Sequence, residues 1–169
     1  MNNNKKIIIS ALILWGIGAL FHFVYEWINI RWLAWLFPVN ESIFEHTKLV
    51  FLPLTLYYLL LFVFRKDKLG NLIYRCNISI LIGIAVEVVS YYTISGILGR
   101  DIAWINILIL LVSFIVSLIF DTRIDRKEEH TIVYPLIVYL SLLFFTISMT
   151  YCPFDISFFY DHSSKRFGL

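Results

Sequence analysis

Apolar and polar positions alternate along this chain in long blocks: five oily runs separated by short polar connections. The runs cover residues 7–28, 40–64, 77–97, 102–120 and 131–151. Each comes close to the roughly 20 mainly apolar residues that a helix needs to cross the hydrocarbon core of a bilayer. The first run, behind Lys5 and Lys6, begins like a secretory signal peptide. It is too long for such an apolar core, and no small-x-small site followed by a soluble region comes after it, so it is read as a retained span. No Gly/Ser-rich linker, low-complexity tract or internal repeat interrupts the pattern. The expected fold is all-α: a single polytopic membrane domain over residues 1–169, a bundle of five transmembrane helices, with residues 152–169 as an interfacial tail.

Composition agrees with that pattern. Hydrophobic residues make up 60% and charged residues 15%, against about 25% charged in a soluble domain, and the mean hydropathy is +0.80. A net charge of +2 is too small to imply nucleic acid, so the expected partner is the lipid bilayer. The basic residues are unevenly placed. Lys5, Lys6, Arg65, Lys66, Lys68, Arg75, Arg123, Arg126 and Lys127 fall on one side of the spans, and Arg31, Lys48, Arg100, Lys165 and Arg166 on the other. Short loops rich in Lys and Arg stay inside the cell. The bias therefore predicts a cytoplasmic N-terminus and an extracytoplasmic C-terminus. Trp27, Trp32 and Trp35 then cluster in the first outer connection, where interfacial aromatics are expected. Cys76 and Cys152 sit at opposite ends of spans and form no CxxC or zinc-type spacing, so both are expected to be inert.

Against this background the ionisable residues stand out. Each one at membrane depth costs roughly 2.5–3.5 kcal/mol on insertion scales, so such groups face protein or a watery cavity. Gly18, His22 and Glu26 are spaced by four and share one face of the first span. Glu26 alone is explained by reaching the headgroups, and His22 by bonding a neighbouring carbonyl. In Asn40-Glu41-Ser42-Ile43-Phe44-Glu45-His46-Thr47-Lys48, Asn40 suits a helix N-cap and Glu41 the first turn. Glu45 pairs with Lys48 at i+3 or repels Glu41 across one face, which a cation or a shared proton would relieve. His46 lies about 100° around the helix from Glu45, so both join one site only by straddling a seam. Pro53 removes the bond to the Leu49 carbonyl and predicts a kink. Glu87 sits in mid-span on a small, polar stripe with Ser79, Gly83 and Ser90, as on a face packed against other helices. Asn106, Ser113 and Ser117 read as interhelical packing. The stretch around Asp155, Asp161 and His162 is too short to span; it either frays or folds back over His22, Glu26 and Glu45. His130, beside Glu128 and Glu129, reads as part of a solvated loop.

The segments HFVYEW (22–27), NESIFEHTKLVFLP (40–53) and PFDISFFYD (153–161) resemble a family of small bacterial multi-pass membrane proteins, classed only as a domain of unknown function. The likeness covers nearly the whole chain, and the middle segment is the specific one. It implies a bacterial plasma membrane and groups the three motifs as one unit. It brings no activity with it, and the chain has no HExxH, GxSxG, P-loop or Rossmann signature.

Two classes of function fit these residues. In the first, His22, Glu26, Glu45 and His46 ligate a divalent transition metal. Mixed imidazole and carboxylate donors suit zinc, manganese or iron, and such a metal would activate water against a lipid or lipid-linked substrate. Glu41 then serves as general base or outer support and Glu87 as proton acceptor. In the second, the same groups carry protons or cations in a transport component, which with five spans needs a homodimer. A third, plainer reading is an accessory subunit whose buried acids bind a partner membrane protein. The topology has a direct test: a reporter fused after Leu169 should be active only outside the cytoplasm. Cytoplasmic activity there would overturn the orientation.

Overall fold

The computed structural model describes residues 3–65, 67–124 and 130–169. Five helices carry the chain: α1 (Asn3–Ile28), α2 (Ile43–Arg65), α3 (Leu69–Leu98), α4 (Ala103–Asp121) and α5 (Val133–Tyr151). All five are long and apolar enough to cross a membrane, which makes this an all-α, multi-pass membrane protein. A 3₁₀ turn, Arg31–Trp35, follows α1. A second, Ser157–Phe159, leads into a hairpin of β1 (Tyr160–Asp161) and β2 (Arg166–Phe167), with Tyr160 opposite Phe167 and Asp161 opposite Arg166. Lys66, Arg126 and Lys127, which enter the charge bias, lie outside the described residues, as do Glu128 and Glu129.

Helices α1 to α4 form a ring in which α1 and α3 each pack on both α2 and α4; α5 lies against α3 outside the ring. Leu49, Val50 and Leu54 of α2, Ile80 of α3 and Phe114 of α4 fill the centre. The outward faces stay oily, with Leu20, Phe64, Ile97 and Phe144 exposed, because lipid rather than water covers them. Two glycines set how closely the helices approach. A Cβ on Gly18 would lie 3.1 Å from the Leu49 carbonyl and 3.2 Å from Leu110; one on Gly83 would lie 2.6 Å from Val50 and 2.7 Å from the Ser117 hydroxyl. The Leu49 carbonyl is the one that Pro53 leaves without its helical donor, and α2 runs unbroken through Pro53. The expected kink thus appears as no break in the helix, and the freed carbonyl faces the bare backbone of α1.

Helix boundaries depart from the hydropathy pattern in two informative places. Helix α2 begins at Ile43 rather than at residue 40, because Asn40 is used otherwise: its Oδ1 accepts the Ser42 N–H at 2.9 Å. Ser42 is the residue that caps, its hydroxyl accepting the Glu45 N–H at 3.3 Å. Helix α3 begins at Leu69, not residue 77, and so takes Arg75 out of the loop and into a buried position. Its charge is tolerable there because it is met in full. Arg75 donates from Nε and Nη2 to the two oxygens of Asp121, each at 2.7 Å. Tyr58 donates to Asp121 at 2.7 Å, and its hydroxyl also lies 2.8 Å from Ser79. The Ser117 hydroxyl donates to the Ser79 carbonyl at 2.9 Å. Nearby, His130 stacks on Tyr74 with centroids 3.9 Å apart, rather than sitting in open solvent. Cys76 is buried and Cys152 exposed, and both are free.

A bidentate pair buried this deeply is costly to break from one side, because the partner is left charged and unpaired. Asp121→Ala should lower unfolding stability by about 3–5 kcal/mol, read as a fall in melting temperature in detergent. Pairing it with Arg75→Met should restore most of the loss. A double variant no more stable than the single would show that the pair does not act as a unit.

Candidate functional site

The end of the bundle that carries the α1–α2 connection, which we call the upper end, gathers most of the remaining polar groups. Ser42 and Asn40 shape the approach to α2. The Asn40 amide donates to the Gly168 carbonyl at 2.8 Å, and the Leu169 N–H donates to the Thr150 carbonyl at 3.1 Å. The C-terminal segment is therefore folded back over the start of α2 rather than frayed. Phe158 and Phe159 pack on Phe44 with centroids 5.9 and 4.8 Å apart. The Asp161 carboxylate accepts the Ser163 N–H and hydroxyl at 2.8 and 2.7 Å and the Ser164 hydroxyl at 2.5 Å.

Three side chains converge at this end. The Nε2 atoms of His22 on α1 and His46 on α2 each lie 3.5 Å from the same oxygen, Oε2 of Glu41. The three donor atoms all lie within 4.8 Å of one another. Nδ1 of His46 lies 2.9 Å from the Ser42 carbonyl. A carbonyl only accepts, so Nδ1 of His46 is the donor in that contact, and the ring is held with Nε2 turned toward Glu41. Glu41 is held below its ordinary carboxylate value, chiefly by its contact with His22 and also by His46, against the opposing pull of burial and of Asp161. An ionised carboxylate between two imidazole nitrogens is a ready acceptor for a proton or a cation.

Beside the cluster lies a cavity of about 400 Å³ between the upper halves of α1 to α4. Its walls are mostly apolar, with Ile43, Leu49, Ile109 and Leu110 prominent, and Glu87, Tyr91 and Asn106 bring polar atoms to it. Oε2 of the buried Glu87 has no hydrogen-bond partner among the described residues, and neither has Nδ1 of His22. Asn106, expected only to pack between helices, lines this cavity and donates to Asp101 at 2.9 Å.

The expected four-ligand set is not the set that meets. Glu45 stands apart from the cluster. Its Oε2 accepts from the Lys48 ammonium at 2.6 Å and from the Val39 N–H at 2.9 Å. The side chains of Glu45 and Lys48 are 1% and 2% exposed, so this is an enclosed ion pair. Lys48 also donates to the carbonyls of Ala34 at 2.7 Å and Phe37 at 3.5 Å. The 100° between Glu45 and His46 decides this: when one faces α1 across the seam, the other faces the incoming loop. Glu26 is exposed at the top of α1, one turn above His22 and outside the group of three. Glu41, expected in a supporting role, supplies the shared oxygen instead, because it precedes α2 and its side chain is free to swing to the seam. Trp32 is exposed, in keeping with an interfacial first connection.

Sequence reading passed over Asp121 and placed Arg75 in a loop. A lone acid closing an apolar run was the available signal, since such a group needs a buried partner.

The chain matches the family of unknown function DUF6512 over residues 1–169 and belongs to it. No curated protein and no solved structure matches the chain.

The C-terminal fold-back should be sensitive to acid in a defined window. Burial pushes the Asp161 carboxyl up, but the hydroxyls of Ser164 and Ser163 and the N–H groups of Ser163 and Glu41 outweigh it and hold the value at about 2. The folded value lies below the ordinary 3.8, so this contribution is complete above roughly pH 4 and is lost as pH falls toward 2. Pepsin cleavage at Phe158–Phe159 should accelerate in the wild type across that window. In Asp161→Asn, cleavage should be fast at every pH within it. Equal protection of the two proteins throughout would contradict the assignment.

Proposed function

We propose that His22, Glu41 and His46 bind one divalent transition metal, zinc, manganese or iron, and that the protein is a metal-dependent enzyme acting on a lipid or lipid-linked substrate at the outer face of a bacterial plasma membrane. The observation that carries this reading is the meeting of two imidazole nitrogens on one carboxylate oxygen at 3.5 Å each. Ligand bonds of about 2.1 Å at a tetrahedral angle separate neighbouring donor atoms by about 3.4 Å. The imidazole–carboxylate spacing matches that edge, and a small rotation of the rings brings the two nitrogens together. His46 has the support typical of a ligand, with its second nitrogen on a backbone carbonyl.

Two histidines and one carboxylate leave coordination positions free, the pattern of reactive rather than structural sites. When bound, the metal supplies a Lewis acid and water that ionises near neutral pH. The chain's own residues do the rest. The apolar walls limit water and bind the oily part of a substrate. Glu87, buried in the cavity lining and with one oxygen unpartnered among the described residues, is the carboxyl placed to exchange a proton there. Glu45 and Lys48 hold the loop that carries Glu41 and have no role as ligands.

A proton or cation path through the bundle has less support. Below Glu87, Val50 and Leu54 pack against Gly83 and separate the cavity from the Tyr58–Asp121 network.

Elemental analysis tests the metal. The purified chain should hold about one equivalent after exposure to zinc, manganese or iron(II). Glu41→Gln and His46→Ala should each weaken binding by more than about 100-fold, since loss of a group that merely supports a ligand already costs up to that much. Glu45→Gln should instead lower thermal stability while any folded protein keeps its metal. Failure of all three metals to bind the wild type would overturn the reading.

A further inference from the structure

The cavity beside the cluster meets the surface in two ways. Glu41, exposed, stands at a polar rim. Phe23 of α1 and Ile107 of α4, 46% and 47% exposed, line the cavity on a side that faces lipid. Just below them the α1–α4 seam is sealed. The Trp15 indole donates to the Ile107 carbonyl at 2.8 Å, and Gly18 lets Leu110 and Phe114 come up against α1. Above that seal the seam-lining residues include Ala19 and Ala103, so the wall is thinnest where the cavity borders the bilayer. At the back, Leu49, Ile109 and Leu110 are 3%, 5% and 4% exposed, an oily surface shut off from bulk lipid.

We propose that this cavity is a binding site for one unbranched acyl chain of a membrane phospholipid, admitted sideways between α1 and α4, with the polar end of the lipid at His22, Glu41 and His46. Three features lead there. An apolar pocket with a few polar groups gathered at one edge orients an amphiphile rather than a uniformly polar or apolar ligand. The two openings, one bordered by a carboxylate and one by Phe23 and Ile107, match the two ends of a lipid standing at the boundary. A volume of about 400 Å³ holds on the order of a dozen methylene groups, taking each as about the 30 Å³ of a liquid water molecule. The slot left by two alanines suits a plain methylene chain better than an isoprenoid with a methyl branch on every unit. The proposal deepens the enzyme reading and rests on it only for the chemistry at the polar end; the binding of the chain requires no metal.

The test uses the full chain in phosphatidylethanolamine–phosphatidylglycerol vesicles. These carry a small fraction of phosphatidylethanolamine with a photoreactive diazirine in one acyl chain. After irradiation, adducts should appear on Leu49, Ile109 and Leu110, which bulk lipid does not reach, as well as on the outward-facing Ile13 and Leu20. Ala19→Trp and Ala103→Phe, each filling the slot from one side, should cut the cavity adducts about tenfold and leave those on Ile13 and Leu20 unchanged. Those outward adducts report that each variant is inserted, and an unchanged melting temperature in detergent that it is folded. Adducts confined to outward positions in the wild type would overturn the proposal. So would displacement of the cavity adducts by a polyprenyl phosphate but not by unlabelled phosphatidylethanolamine. Metal content measured on the same samples separates the two ideas: adducts without metal sink the metal reading alone, and metal without cavity adducts sinks this one alone.

Discussion

The upper end of the molecule depends on one enclosed ion pair, Glu45 with Lys48. Taking two such charges out of water costs several kcal/mol per ion, and their attraction offsets this only when the remaining donors and acceptors are also used. Here the Lys48 ammonium and Oε2 of Glu45 are fully used, while Oε1 of Glu45 has no hydrogen-bond partner among the described residues. Lys48 spends its other protons on the Ala34 and Phe37 carbonyls, and Glu45 takes the Val39 N–H. The pair thereby ties residues 34–39 to the first turns of α2 and fixes where the chain turns into the membrane. Ser42, Glu41 and His46 follow from that turn, so the position of the cluster is inherited from a contact that takes no part in it.

A second charged pair works at the other end. Arg75 and Asp121, with Tyr58 and Ser79, join α2, α3 and α4 through hydrogen bonds that lipid cannot supply. Between the two fastenings the helices are drawn together by Gly18 and Gly83, and the packing there is tight. Above Gly83 the ring opens into the cavity. A bundle clamped low and at its loop end can keep an open, partly polar space between without collapsing onto it. Glu87 benefits directly: it sits where the tight stripe of Ser79 and Gly83 gives way to that space.

The C-terminal segment completes the site from a distance in sequence. Gly168 receives the Asn40 amide, and Asp161 takes the Glu41 N–H among its donors. Glu41 belongs to no helix, so its position relies on this scaffold and on the Glu45–Lys48 anchor. The two histidines, in contrast, sit on helices, His22 on α1 and His46 on α2. That division explains why Glu41, the one member of the cluster outside a helix, is held by contacts distant in sequence.

Span number, class and the small-residue stripes were legible in the chain because they depend on local periodicity and on the cost of placing charge in hydrocarbon. The same cost marked His22, His46 and Glu87 as inward-facing. It could not assign partners. Glu45 offered two readings, ion pair with Lys48 or shared site with Glu41, and both satisfied the local spacing; only the path of the loop over α2 selected the first. Arg75 looked like a loop charge because its partner lies 46 residues away on α4. Glu26 and Glu41 differ in outcome for a similar reason: four-residue spacing aims Glu26 along the α1 face at a height where it stays exposed, whereas Glu41 lies outside α2 and is placed by the loop. Sequence determined which residues had to be buried and on which face, since that is a matter of solvation. Tertiary structure decided which of them touch, since that depends on where separate segments cross.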